Sequence, residues 1–130
     1  MQVHLGKVTL HVTLNRSAAA GKIAEMLPLE GWMTRFDDRE FYMPLPVTPD
    51  VQGEQTRSFC NGDVAYYPPY NTLAVFYARE RESPCPGLIP IGRIAGDYSG
   101  LESLEERVFS RIEADETDKT QCNSPSNSSP

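Results

Sequence analysis

The sequence predicts a mostly β fold in one domain, and three observations carry that reading. Val3 and Leu5, then Val8, Leu10, Val12 and Leu14, alternate with polar residues such as His4, Thr9, His11 and Thr13, the period of a strand with one face on a core. Eleven prolines and nine glycines suit short strands joined by tight turns better than a helical bundle. Two apolar runs, 64–67 and 73–77, flank Pro68-Pro69-Tyr70-Asn71, and a run that is apolar at nearly every position fits a strand buried on both faces.

The elements follow in order. Gly6-Lys7 separates the first two alternating runs and reads as a hairpin turn. Residues 16–27 read as a helix of about three turns. Asn15 or Ser17 is available as its cap, Ala19, Ile23, Met26 and Leu27 form its apolar stripe, and Pro28 stops it. Residues 30–36 and 39–43 read as two strands joined at Asp37-Asp38. The stretch 44–62, with three prolines and two glycines, is long for a loop in a compact domain, and such loops are often functional. Residues 88–94 give another strand, 99–106 a short helix with Ser99 and Glu102 placed as a capping box, and 107–112 a last alternating strand. The domain is expected to span 1–113. Residues 114–130 are expected to be a disordered tail, because they offer no aliphatic side chain with which to offset ordering entropy.

Charge and cysteine usage narrow the function classes. The formal net charge is −6, with 15 acidic and 11 basic residues in 1–113, so no basic surface for nucleic acid is expected. Cys60, Cys85 and Cys122 are odd in number and widely spaced, which argues against a disulfide framework or a zinc ribbon. The N-terminus lacks the pattern of a signal peptide and no run approaches a membrane span, so a cytoplasmic protein with no membrane partner is expected.

Two segments carry a resemblance. Ile91-Gly92-Arg93-Ile94 followed by Gly100-Leu101-Glu102-Ser103-Leu104-Glu105 resembles the cyclophilin segment in which a Phe-Gly-Lys-Val strand precedes a Gly-Met helix. Gly62-Asp63-Val64-Ala65-Tyr66-Tyr67-Pro68-Pro69, followed by Leu73-Ala74-Val75-Phe76-Tyr77, is similar to the Gly-Asp-Val-x-Tyr-Trp-Pro-Pro segment of the short prokaryotic cyclophilin-like domains of unknown function, with Tyr67 in the place of Trp. The resemblance covers 1–113. It implies a cyclophilin-like closed β-barrel of about eight strands with one or two short helices. It does not bring the isomerase site with it. Cyclophilins twist the prolyl peptide bond with the Arg of a Phe-His-Arg strand, and no Phe-His-Arg occurs here. Pro84-Cys85-Pro86-Gly87-Leu88 stands where the Trp and His before the Gly-Lys strand belong, and Leu73-Ala74-Val75-Phe76 replaces the Gln-Phe-Phe strand. Fold does not carry function.

The expected function is therefore non-catalytic binding of a small molecule or peptide, with no catalytic residue, metal or cofactor assigned. An enzyme using the equivalent cleft, as a weak prolyl isomerase or with an uncharacterised activity, is the alternative. His4 and His11 on adjacent strands read as polar strand residues, since no third metal ligand is in sight. Asp37, Asp38 and Glu40 read as turn chemistry rather than as acid and base groups. Arg35, Arg39 and Arg93 are candidate carboxylate anchors, or solvated strand residues. Tyr42, Tyr66, Tyr67, Tyr70, Phe76 and Tyr77 form the dense aromatic group. A ligand cleft is expected on the face bordered by 39–43, 64–67 and 73–77, with Tyr42, Tyr66, Tyr67, Phe76 and Arg93 as binding residues. A one-residue slip in the strand after Asn71 exchanges Val75 for Phe76 at that cleft.

Overall fold

A computed structural model describes residues 1–77 and 86–115. Its strands are β1 (Gln2–Leu5), β2 (Val8–Leu14), β3 (Leu29–Phe36), β4 (Glu40–Pro44), β5 (Asp63–Tyr67), β6 (Thr72–Phe76), β7 (Ile89–Ala95) and β8 (Arg107–Glu113). They close into one antiparallel barrel in the order β1-β2-β7-β5-β6-β4-β3-β8, with β8 returning to β1. The mostly β barrel expected from the sequence is what the chain forms. The tail from 116 onward, Cys85 and Cys122 lie outside the described residues.

Turn residues set the hairpins. Gly6 takes φ +57° between β1 and β2, and Asp37 and Asp38 take φ +56° and +48° between β3 and β4. Two successive left-handed residues are what a two-residue type I′ turn requires, and Asp tolerates that region better than most side chains. Pro68–Tyr70 form a 3-10 turn closed by Asn71 at φ +53°. The Asn71 side chain then ties two elements together: its Oδ1 accepts from Tyr66 Oη at 2.6 Å and its Nδ2 donates to Leu45 O at 3.2 Å.

The helix α1 (Ala18–Ala24) is shorter than the span 16–27. Ser17 caps it, its Oγ accepting from Ala20 N at 3.1 Å, while Asn15 Oδ1 accepts from Ser17 N and Oγ. Past Ala24 the chain tightens into 3-10-type bonds, Met26 N to Ile23 O and Leu27 N to Ala24 O, so the last apolar residues leave the α-helical stripe and pack from the turn. The second helix is a 3-10 helix, Ser99–Ser103, and no side-chain cap bond is made at its N-terminus. Asp97 takes the place of the expected capping box, accepting from Ser99 N at 3.0 Å.

Alternation sorts the strands into two faces. Val3, Leu5, Phe41, Met43, Leu73 and Val75 are buried in the main core, which Ala19, Ala20 and Ile23 of α1 and Leu101 of the 3-10 helix join. A smaller apolar cluster, Ala65, Ala74, Phe76 and Leu88 with Tyr42, Phe59 and Tyr67, forms separately. Tyr42 pairs with Ala74 and Glu40 with Phe76 across β4 and β6, while the alternate pairs Phe41–Val75 and Met43–Leu73 belong to the core. The second cluster therefore lies on the outer face of β4, β5 and β6, and this face positions the site.

Candidate functional site

The outer face of β4, β5 and β6 holds a cavity of about 450 Å³ lined by Phe36, Arg39, Glu40, Tyr42, Tyr67, Tyr70, Thr72 and Leu88. Three parts of the chain build it. The β3–β4 hairpin supplies Phe36, Arg39, Glu40 and Tyr42. The β5–β6 connection with its flanking strand ends supplies Tyr67, Tyr70 and Thr72, and the residue just before β7 supplies Leu88. Ring contacts fix the walls: Tyr67 meets Tyr70 edge-on at 5.6 Å, and Phe36 meets Tyr42 edge-on at 6.5 Å. Both distances lie in the favourable range for T-shaped pairs.

The long loop before β5 completes this face. Arg57 and Leu88 exchange backbone bonds, Arg57 N to Leu88 O at 2.9 Å and Leu88 N to Arg57 O at 3.0 Å. That bridge brings Phe59 over Phe76, ring on ring at 4.5 Å with planes 12° apart. Phe76 is consequently fully buried beneath the loop.

Among the described residues, Arg39 and Glu40 are the only charged ones lining the cavity, and they are 6% and 8% exposed. The Arg39 guanidinium stands 5.3, 5.5 and 5.8 Å from the ring centres of Phe36, Phe59 and Phe76, within cation–π reach of all three. Its Nε donates to Glu40 Oε1 at 2.8 Å and its second terminal nitrogen approaches the same oxygen at 2.7 Å. Burial pushes the Glu40 carboxyl above the ordinary carboxylate range. It outweighs the downward pull of the Arg39 bond and charge, and Asp37 adds a further upward push.

The structure brings Tyr42 and Tyr67 to the cavity and sets Phe76, not Val75, on that side, one layer below the walls. Tyr66 and Arg93 need correcting. Tyr66 is the strand neighbour of Tyr67 and must face the opposite way. It lies in the core with its hydroxyl on Asn71. Arg93 donates to Asp63 Oδ1 at 2.7 Å and to Asn61 O at 2.8 Å, and it does not line the cavity. The sequence reading missed Phe36, Phe59 and Leu88. It also placed Glu40 in turn chemistry, although Glu40 and Tyr42, two apart on one strand, share a face and thereby signal a polar group beside an aromatic one.

The remaining candidates are engaged elsewhere. Arg35 lies 4.7 Å over the Phe41 ring and bonds Tyr77 Oη, Leu104 O and, at 3.0 Å, the Glu106 carboxylate. His4 uses Nδ1 on Thr9 Oγ1 at 3.0 Å and Nε2 on Glu113 at 2.8 Å. Among the described residues no group of three or more His, Cys, Asp or Glu is arranged to hold a metal ion, and no helix is long and apolar enough to cross a membrane.

The two motif segments meet in space, away from the cavity walls. Asp63 of β5 pairs with Arg93 of β7, and the fully buried Asp63 carboxylate takes Arg93 at 2.7 Å, Arg57 at 3.0 Å and Cys60 N at 2.7 Å. Gly92 lies where a Cβ would stand 2.6 Å from Thr13 O, so β2 and β7 approach closely only because no side chain is there.

Comparison with known proteins agrees with this architecture. The solution structure of the hypothetical protein AF2241 from Archaeoglobus fulgidus superposes with a TM-score of 0.71 at 22% identity, over 86% of this chain and 91% of that one. At that identity the likeness concerns the fold. No curated protein matches the chain. The family model described as the Cyclophilin-like family matches residues 3–113, which takes in all eight strands but the first residue of β1, and the chain belongs to the Cyclophilin-like family.

Proposed function

We propose that this domain binds a small molecule or a short peptide segment in the cavity on the outer face of β4, β5 and β6, and that it does so without catalysis. One observation carries the reading: a cavity of about 450 Å³ with four aromatic walls and a single buried Arg–Glu pair. That size falls in the usual range for ligand sites, and so does a mainly apolar lining with few polar groups. Tyr70 is three-quarters exposed at the rim of this cavity, edge-on to Tyr67, where its ring is open to a ligand.

Titration of isotope-labelled protein with small aromatic amides and with a proline-containing tetrapeptide tests this. Shifts should cluster on β4, β5 and β6, and Tyr42→Ala should weaken binding about tenfold through loss of a ring contact. Shifts scattered over the barrel, or none, would remove the reading. Isomerase turnover of the tetrapeptide is expected at background. No Phe-His-Arg strand is present to supply the arginine that stabilises the twisted amide, and losing such an oriented donor typically costs a factor of about 10²–10³ in rate. Robust turnover that disappears in Tyr67→Ala would favour the enzyme.

A further inference from the structure

We infer that the cavity selects uncharged ligands that present an amide beside an aromatic or aliphatic body, with Arg39 and Glu40 reading the amide as a pair. The inference rests on the proposal that the cavity is a binding site and specifies what it takes.

The hydrogen-bond inventory of the pair leads there. Arg39 carries five N–H donors and an ionised carboxylate accepts at both oxygens. Both Arg39 contacts fall on one oxygen, Glu40 Oε1. Glu40 Oε2 and Arg39 Nη1 make no hydrogen bond to any described residue, and both side chains, 11% and 7% exposed, line the cavity. A ligand that covers such groups at the cavity wall without bonding them bears their desolvation penalty. What remains open is one donor and one acceptor on neighbouring side chains. An amide supplies the complement, since its carbonyl accepts from Arg39 and its N–H donates to Glu40.

Charge excludes the alternatives. A carboxylate ligand meets an arginine whose charge is already balanced, and it comes to lie beside the Glu40 carboxylate. A cationic ligand meets the reverse arrangement. An ester satisfies Arg39 and leaves the Glu40 oxygen unbonded. The guanidinium is also held in place, because Phe36, Phe59 and Phe76 surround it at 5.3–5.8 Å. Its donors are therefore oriented before a ligand arrives, which lowers the ordering cost of binding. The walls formed by Tyr42, Tyr67 and Tyr70 then receive the ligand's ring or aliphatic body.

Three matched probes test this on the full chain: 3-phenylpropanamide, its methyl ester counterpart and 3-phenylpropanoate, each titrated by NMR. The amide should bind about tenfold more tightly than the ester, the cost of one buried acceptor left unpaired, and the carboxylate should bind no better than the ester. In Glu40→Gln the side-chain amide places an N–H where the acceptor was, so the preference for amide over ester should fall to within about twofold while the shifts stay on the same strands. Equal binding of the three probes by the parent protein would overturn the inference and leave the cavity as a binding site. Tightest binding of the carboxylate would overturn it in favour of Arg39 as an anion anchor. Absence of any shift on these strands would overturn the binding proposal and the inference together. The parent-protein comparison reads the outcome even where the variant folds poorly.

Discussion

Two buried carboxylates stand on neighbouring parts of the barrel wall, and they are used in opposite ways. Asp63 is saturated, with Arg57, Arg93 and the Cys60 amide converging on it from a loop, a neighbouring strand and a turn. Among the described residues Glu40 has a single side-chain partner, its sequence neighbour Arg39, and its second oxygen is unbonded beside a cavity. The difference separates architecture from recognition. A carboxylate that takes a donor thirty residues along the chain pins two strands together, whereas a pair made of adjacent residues closes no loop and leaves bonding capacity to spare.

The largest expected effect breaks the first member of this pair. Asp63→Ala leaves two arginines and a backbone amide without their acceptor. Removing one partner of a buried pair costs about 3–5 kcal/mol when the other stays buried. Arg57 and Arg93 have side chains 45% and 59% exposed and can return to water, so a loss of about 2–3 kcal/mol is expected in urea unfolding. Ligand affinity at the cavity should hardly move. A stability loss below about 0.5 kcal/mol would deny Asp63 its clamping role.

Gly92→Ala probes the same region through packing. Its added Cβ meets Thr13 O, Val12 Cγ1 and Leu14 Cα within 3.2 Å, and two of those three are backbone atoms that cannot rotate aside. A cost of about 1–3 kcal/mol is expected, with chemical-shift changes along β2 and β7. An unchanged unfolding midpoint would mean that the two strands part easily there.

Glu40 is expected to show itself in pH dependence. Its carboxyl lies above the ordinary value of 4.5, chiefly through burial, so the folded protein holds that proton more tightly than the unfolded chain does. The corresponding stability is complete below the ordinary value and is lost as pH rises through the higher native one. Glu40→Gln removes this dependence, and its stability relative to the parent should therefore rise as pH climbs above the ordinary value of 4.5. Parallel curves for the two proteins would show that Glu40 titrates as a solvated carboxylate.

Tyr70→Ala should have the smallest effect on the fold, within about 0.5 kcal/mol, because the ring is largely exposed. A drop in affinity for 3-phenylpropanamide with no change in stability would set Tyr70 on the recognition side of the comparison. A destabilisation above about 1.5 kcal/mol would move it to the architectural side.

The architectural half was far more legible in the sequence than the recognition half. Period-two alternation over Val8–Leu14 and Arg107–Ile112, and the Asp37-Asp38 turn, are local patterns that a strand or hairpin must obey. The motif segments around Asp63 and Gly92-Arg93 pointed to the family, and in the structure they are bonded to each other. Arg93 was expected at the ligand site because its charge was visible and its partner, thirty residues away, was not. Tyr66 and Tyr67 posed a narrower problem: alternation requires them to face opposite ways, and only the pairing of β5 with β6 decides which faces out. The cavity floor was hidden for a different reason. Phe59 reaches Phe76 through the Arg57–Leu88 bridge, which joins a loop to the residue just before β7, thirty-one positions on. Long-range closures of that kind leave no periodic trace.

Closure of the barrel bears on how any partner can be recognised. Each of the eight strands already has a neighbour on both sides. Among the described residues no strand is left with a whole edge unpaired for an incoming peptide to extend the sheet, the route by which many extended ligands gain affinity with little demand on their sequence. Recognition on this wall then falls mainly to side chains, and affinity is tied to the chemistry of the guest.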